Sequence, residues 1–228
     1  VWDGSSGRTQ RHPFKIAVEI KMKKKQFSKF NKSQAFEFLN LSDLLPWQIE
    51  VAPLLLSDFF QERWQRLRRN FDLDSYEESK KLLIDALCDE ALNPLEHLKI
   101  WKGAQLEGEQ VSGYVDYLIA ERKRYLTAPL LCIIEAKKDD FEQGLAQCLV
   151  EMDSCRWHNR QHGQDNIDIF GIVTNGEGWR FYRMVTPQIV YETPLYSTGD
   201  MGLLLGRLRQ VFRWCEEQLM AAKPSSSI

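Results

Sequence analysis

Apolar and polar positions divide this chain into helix-period and strand-period stretches in a definite order. Residues 34–45 suggest a short helix or turn entry, after which Pro46 and Pro53 punctuate the chain. Residues 54–71 read as helical, with Arg63, Arg66, Arg68 and Arg69 on the latter half. A second helix is predicted over 74–92. It is acid-rich in its first turn, as the helix dipole prefers, and ends at Asn93 and Pro94. Three strand-like stretches follow at 98–103, 111–119 and 130–137, with a charged, proline-bearing connection over 120–129. From about 140 to 157, Phe141, Leu145, Cys148, Leu149, Met152 and Cys155 recur at helical spacing. Residues 158–167 are polar and read as a loop. Residues 168–174 form a buried strand, Asn175-Gly176 is a strong hairpin signal, and 178–184 return as its partner. A short strand at 189–191 and an amphipathic helix over 201–220 complete the pattern. The order is helix, three strands, helix, strand hairpin, helix. It predicts an α/β domain with a mixed central sheet flanked by helices.

Two of these strands carry acids where a packed sheet prefers none. The run GYVDYLI over 113–119 contains Asp116, and LCIIEAKK over 131–138 contains Glu135 and Lys137. Strand side chains alternate faces, so Glu135 and Lys137 point the same way, together with the apolar Leu131 and Ile133. A glutamate and lysine so spaced are often only an exposed ion pair, worth little. Here the shared face is expected to be buried. With Asp116 on the neighbouring strand, two carboxylates and an ammonium would converge. Such a group can hold a divalent metal and activate water beside a phosphate.

Composition sets limits on the rest. Of 228 residues, 43% are hydrophobic and 27% charged, which fits a globular protein large enough for one good core. No run approaches the ~18 apolar residues of a membrane span, and the N-terminus has no apolar secretory core. The five cysteines form no CxxC pair and mostly sit in apolar patterns. They are expected to be reduced core residues of a cytoplasmic protein. Net charge is −2, but residues 1–33 carry nine Lys/Arg against two acids, leaving the remainder acidic. Residues 1–33 are therefore expected to form a basic, partly disordered leader able to touch phosphates. A single domain would span 34–222, and 223–228 would be a flexible tail.

Asp116, followed nineteen residues later by Glu135-Ala136-Lys137 and then a helix, resembles the PD-(D/E)XK nuclease superfamily. This is the restriction-endonuclease-like fold, and the likeness is to nuclease domains of restriction and defence systems. The resemblance covers roughly residues 74–184. The predicted element order matches that fold's αβββαβ core. One departure is Val115, which stands where the family pattern has a proline. The resemblance implies Mg²⁺ or Mn²⁺ held by Asp116, Glu135 and the Ala136 carbonyl, with Lys137 orienting or helping to deprotonate the attacking water. It also implies a glutamate from the first helix. Glu77, Glu78, Asp85, Asp89 and Glu90 compete for that role. On a helical wheel Glu90 falls among apolar residues, where an unpaired carboxylate is costly without a partner, so Glu90 is the choice. A glutamine near the lysine is a further family feature, and Gln147 matches it better than Gln143.

The implied function is metal-dependent hydrolysis of nucleic-acid phosphodiesters, DNA first and RNA second. The implied partners are nucleic acid, a second copy for two-strand cleavage, and separate restriction-system subunits. No GxxxxGK[ST] motif occurs, so a motor would be another chain. The rival reading is a catalytically inactive module of the same fold that binds nucleic acid or protein. His158 and His162 are spaced for zinc, but no third ligand stands out.

Overall fold

The computed structural model describes residues 24–223. Strand β1 (Lys25–Gln26) and a 3₁₀ turn lead into helix α1 (Lys32–Leu39), whose Asn31 cap accepts from the Gln34 N–H. Strand β2 (Leu45–Pro46) precedes α2 (Asp58–Asn70) and α3 (Glu77–Leu92). Strands β3 (Leu98–Glu107), β4 (Val111–Glu121) and β5 (Leu130–Ala136) then run to α4 (Phe141–Gln161). Beyond it come β6 (Ile169–Thr174), β7 (Gly178–Thr186), β8 (Ile189–Glu192), β9 (Tyr196–Ser197) and α5 (Met201–Ala221). The fold is α/β, and from α3 to β6 the order is α, β, β, β, α, β.

All nine strands join one mixed sheet in the order β1-β4-β5-β6-β7-β8-β2, with β3 also on β4 and β9 also on β7. Strands β3, β4 and β5 pair antiparallel, and β5 and β6 pair parallel across the α4 crossover. Parallel central strands are covered on both faces, which explains why every residue of β5 and β6 is buried. Helix α4 packs on β5 and β6, α1 packs on α4, and α3 packs against both α2 and α5. One continuous apolar core joins these layers.

The pairing of β4 leaves Asp116 at a gap in the sheet. The C-terminal half of β4 pairs with β5 from Tyr117 onward, whereas its first residues, Val111 and Ser112, pair with β1. Between these partners the edge of β4 is open, and Asp116 lies there. On the other edge, the β3–β4 ladder lapses where Gly103 stands opposite Asp116. Gly103 has φ 60°, a backbone conformation that glycine adopts without steric cost.

The expected leader needs correction. Residues 24–33 belong to the body: Phe27 and Phe30 are buried in the core, and β1 adds to the sheet. The lysines around these two aromatics mask them in any compositional reading. The rest of the expected leader, 1–23, lies outside the described residues, as do 224–228 of the expected tail. Helix α4 also runs past its expected end, so His158 is helical rather than in a loop.

Candidate active site

Strands β4 and β5 part after the Tyr117–Ile134 pair. At that fork the Ala136 N–H donates to Asp116 Oδ2 at 3.0 Å, so a side chain continues where backbone pairing stops. Glu135 and Lys137 lie on one face of β5 and its extension, with Lys137 Nζ 2.5 Å from Glu135 Oε1. The Lys137 N–H donates to Thr174 O at 2.9 Å and ties the end of β5 to β6. Asp116, Glu135, Ala136 and Lys137 are therefore brought together.

Helix α3 delivers a lysine rather than a carboxylate to Asp116. Lys81 Nζ lies 2.9 Å from Asp116 Oδ1 and 3.0 Å from Glu78 Oε2. The Tyr117 hydroxyl donates to Lys81 O at 3.3 Å, pinning that turn of α3 to β4. Lys80 Nζ donates to Lys138 O at 3.4 Å. Two lysines, Lys81 from α3 and Lys137 from the end of β5, thus face the two carboxylates, and Lys80 ties α3 to the backbone just beyond β5.

The five acids of α3 have separate occupations. Glu78 holds Lys81, Asp85 pairs with Lys102, and Asp89 pairs with Arg63. Glu77 adds negative charge to the surroundings of both Glu135 and Lys137. Glu90 is not part of the cluster, contrary to the choice made from the helical wheel. Its two carboxylate oxygens accept from the Ser57 N–H at 3.2 Å and the Ser57 hydroxyl at 2.9 Å. The wheel identified a carboxylate in need of a partner, and that partner is the start of α2. Axial position separates it from the site: Glu90 lies nine residues beyond Lys81, about 14 Å along the helix.

Helix α4 closes the site from the other side. A Cβ on Gly144 would lie 3.0 Å from Lys137 Cγ and 2.6 Å from Val173 Cγ1, so glycine permits the close approach of helix and strand. Gln143 donates to the carbonyls of Ser28 and Phe30, whereas Gln147 turns inward and donates to Glu151 Oε1 at 2.9 Å. Glu151 is fully buried, and its Oε2 has no partner. Its charge and that of Glu135 act on each other. Glu151 was missed in the sequence, although an acid within the apolar stripe of α4 was the available signal.

Burial dominates the electrostatics. It pushes the Glu135 carboxyl up to about 8, with help from the Asp116 charge, and pushes Glu151 well above the carboxylate range. Burial alone would lower Lys137, but the attraction and hydrogen bond of Glu135 more than offset it, and the ammonium is favoured. Lys81 follows the same pattern: burial opposes its charge, and hydrogen bonds to Asp116 and Glu78 restore it. At neutral pH the lysine facing Glu135 is a cation rather than a free amine.

The donor set suits a hard divalent ion. Asp116 and Glu135 offer carboxylate oxygens, and Glu135 Oε2 is buried without a partner. One or two protein carboxylates with waters are a usual magnesium environment. Among the described residues, no group of three or more His, Cys, Asp or Glu is arranged to hold a metal. His158 and His162 only stack on one another, with His162 Nδ1 2.8 Å from His158 O.

No protein-family model matches the chain. Over 117 residues it is 27% identical to Crinkler effector protein 1 of Rhizophagus irregularis, a match covering 45% of this chain and 24% of that protein. The chain thus spans about a quarter of that relative's length. No helix among the described residues is long and apolar enough to cross a membrane.

Proposed function

We propose that this chain is a metal-dependent nuclease of the PD-(D/E)XK type that hydrolyses phosphodiester bonds, with DNA as its first substrate class. The observation that carries this reading is the fork of β4 and β5, where Asp116 accepts from the Ala136 N–H and its charge bears on Glu135, which pairs with Lys137. Asp116, Glu135 and the Ala136 carbonyl would hold Mg²⁺ or Mn²⁺. The bound ion would supply positive charge against the phosphate and lower the pKa of water.

The remaining chemistry belongs to side chains. Lys137, held as an ammonium, orients a water by hydrogen bonding and offsets the charge that builds on the phosphoryl oxygens. Its favoured protonation supports orientation and charge stabilisation over proton abstraction. Glu151, held by Gln147, lies within reach of the Glu135 charge from α4. Lys81, paired with Asp116 and Glu78, adds a second ammonium beside the carboxylates. Two-strand cleavage would call for a second copy, and separate restriction-system subunits would supply any motor. The five cysteines are free and buried, in keeping with a cytoplasmic setting. The Rhizophagus protein's name describes an effector, and that role is not carried over from a quarter of its length.

A second reading, a non-cutting module of the same fold, is favoured by one observation: Lys81 already neutralises Asp116. Cleavage of plasmid and of single- and double-stranded oligonucleotides in Mg²⁺ and Mn²⁺ separates the two. Cutting by the wild type, lost in Asp116→Asn and Lys137→Ala, is the expected result. No cleavage of any substrate would leave the module reading in place.

A further inference from the structure

The geometry points to a displaceable internal cation: Lys81 pairs with Asp116 and is exchanged for a divalent ion when one binds there. This inference rests on the proposed reading of Asp116 as a metal ligand. It follows from how completely Asp116 is already engaged. Its Oδ2 accepts the Ala136 N–H at 3.0 Å, and its Oδ1 faces the Lys81 ammonium at 2.9 Å. Both side chains are largely shielded, with 17% of Lys81 and 21% of Asp116 exposed, so solvent and salt screen the pair only weakly. An ammonium and a divalent ion on the same carboxylate would repel at close range. One must leave for the other to bind.

Lys81 has somewhere to go. Its Nζ already touches Glu78 Oε2 at 3.0 Å, and Glu78 is 81% exposed. By rotating its side chain, Lys81 can release Asp116, keep Glu78 and turn toward solvent. The Lys81 backbone stays in place, because its carbonyl accepts the Tyr117 hydroxyl. The exchange is therefore a side-chain movement on a fixed turn of helix. Glu78 and Asp116 compete for the same lysine, and their balance sets the concentration of divalent ion at which the site fills.

Calorimetric titration of the full chain with MnCl₂ tests this directly, with thermal unfolding of each variant to verify its fold. Lys81→Met should bind Mn²⁺ about tenfold more tightly than wild type, within the usual range of coupling between sites. Glu78→Gln, which leaves Lys81 with Asp116 alone, should bind more weakly than wild type. Lys81→Arg, which keeps the cation, should show no gain. Asp116→Asn in the Lys81→Met background should lose the gained affinity. Unchanged or weaker Mn²⁺ binding in folded Lys81→Met would overturn the inference, as would the absence of binding in every variant. Tighter binding in Lys81→Met without nucleic-acid cleavage by any variant would uphold the exchange and sink the nuclease reading instead.

Discussion

The backbone N–H of Ala136 donates to Asp116 Oδ2 at 3.0 Å, across the point where their two strands separate. That bond holds an acid from β4 at the level of Glu135 on β5, although the ladder between the strands has ended at Tyr117 and Ile134. Its consequence is a cluster whose parts can be removed singly.

Asp116→Asn, Glu135→Gln and Lys137→Ala should each lower phosphodiester cleavage by about 100-fold or more while leaving the protein folded. Circular dichroism and a gel-based cleavage assay on the same preparations measure both quantities. Retained cleavage in all three variants would place the chemistry elsewhere on the molecule.

Glu90→Gln should behave differently from these. It weakens the bonds to Ser57, whose side chain caps α2 by accepting from the Phe60 N–H at 3.1 Å. A loss of about 1 kcal/mol in denaturant unfolding is expected, as for other weakened helix caps, with Mn²⁺ affinity unchanged. A drop in Mn²⁺ affinity with no loss of stability would restore Glu90 to the site.

The metal-free protein should lose stability on the alkaline side. Burial raises Glu135 from 4.5 to about 8 and raises Glu151 well above the same starting value, so the folded state holds these protons more tightly than the unfolded state. Their contribution is complete below pH 4.5 and fades as pH rises through about 8 for Glu135. Lys137, also raised, acts in the same direction at higher pH. Glu151→Gln mimics the neutral acid and should flatten this slope by on the order of 1 kcal/mol per pH unit. Melting temperatures at pH 6 and pH 9 are the measurement, and equal slopes in the two proteins would refute it.

Gly144→Ala should disturb Lys137 without touching the carboxylates. The added methyl meets Val173 Cγ1 at 2.6 Å and Lys137 Cγ at 3.0 Å, so helix, strand or lysine must shift. Overpacking of this kind costs about 1–3 kcal/mol. Cleavage should fall more than the stability loss explains, and Mn²⁺ affinity should fall less than cleavage. Wild-type cleavage in a folded Gly144→Ala would show that this approach does not position the lysine.

Much of this was legible in the chain. Alternation along 130–137 put Glu135 and Lys137 on one face, because that relation is local to a strand. The order of helices and strands and the hairpin at Asn175-Gly176 followed from periodicity and turn chemistry in the same way. Tertiary packing decided the rest. Phe27 and Phe30 enter the core despite their lysine neighbours, because β4 offers an open edge to β1. Lys81, not Glu90, meets Asp116, because a helical wheel records angle and discards distance along the axis. Glu151 adjoins the site because α4 crosses from β5 to β6 and passes close to Lys137 at Gly144. Periodicity could assign each of these side chains to a face of its own element, but only the packing of one element on another could decide which faces meet.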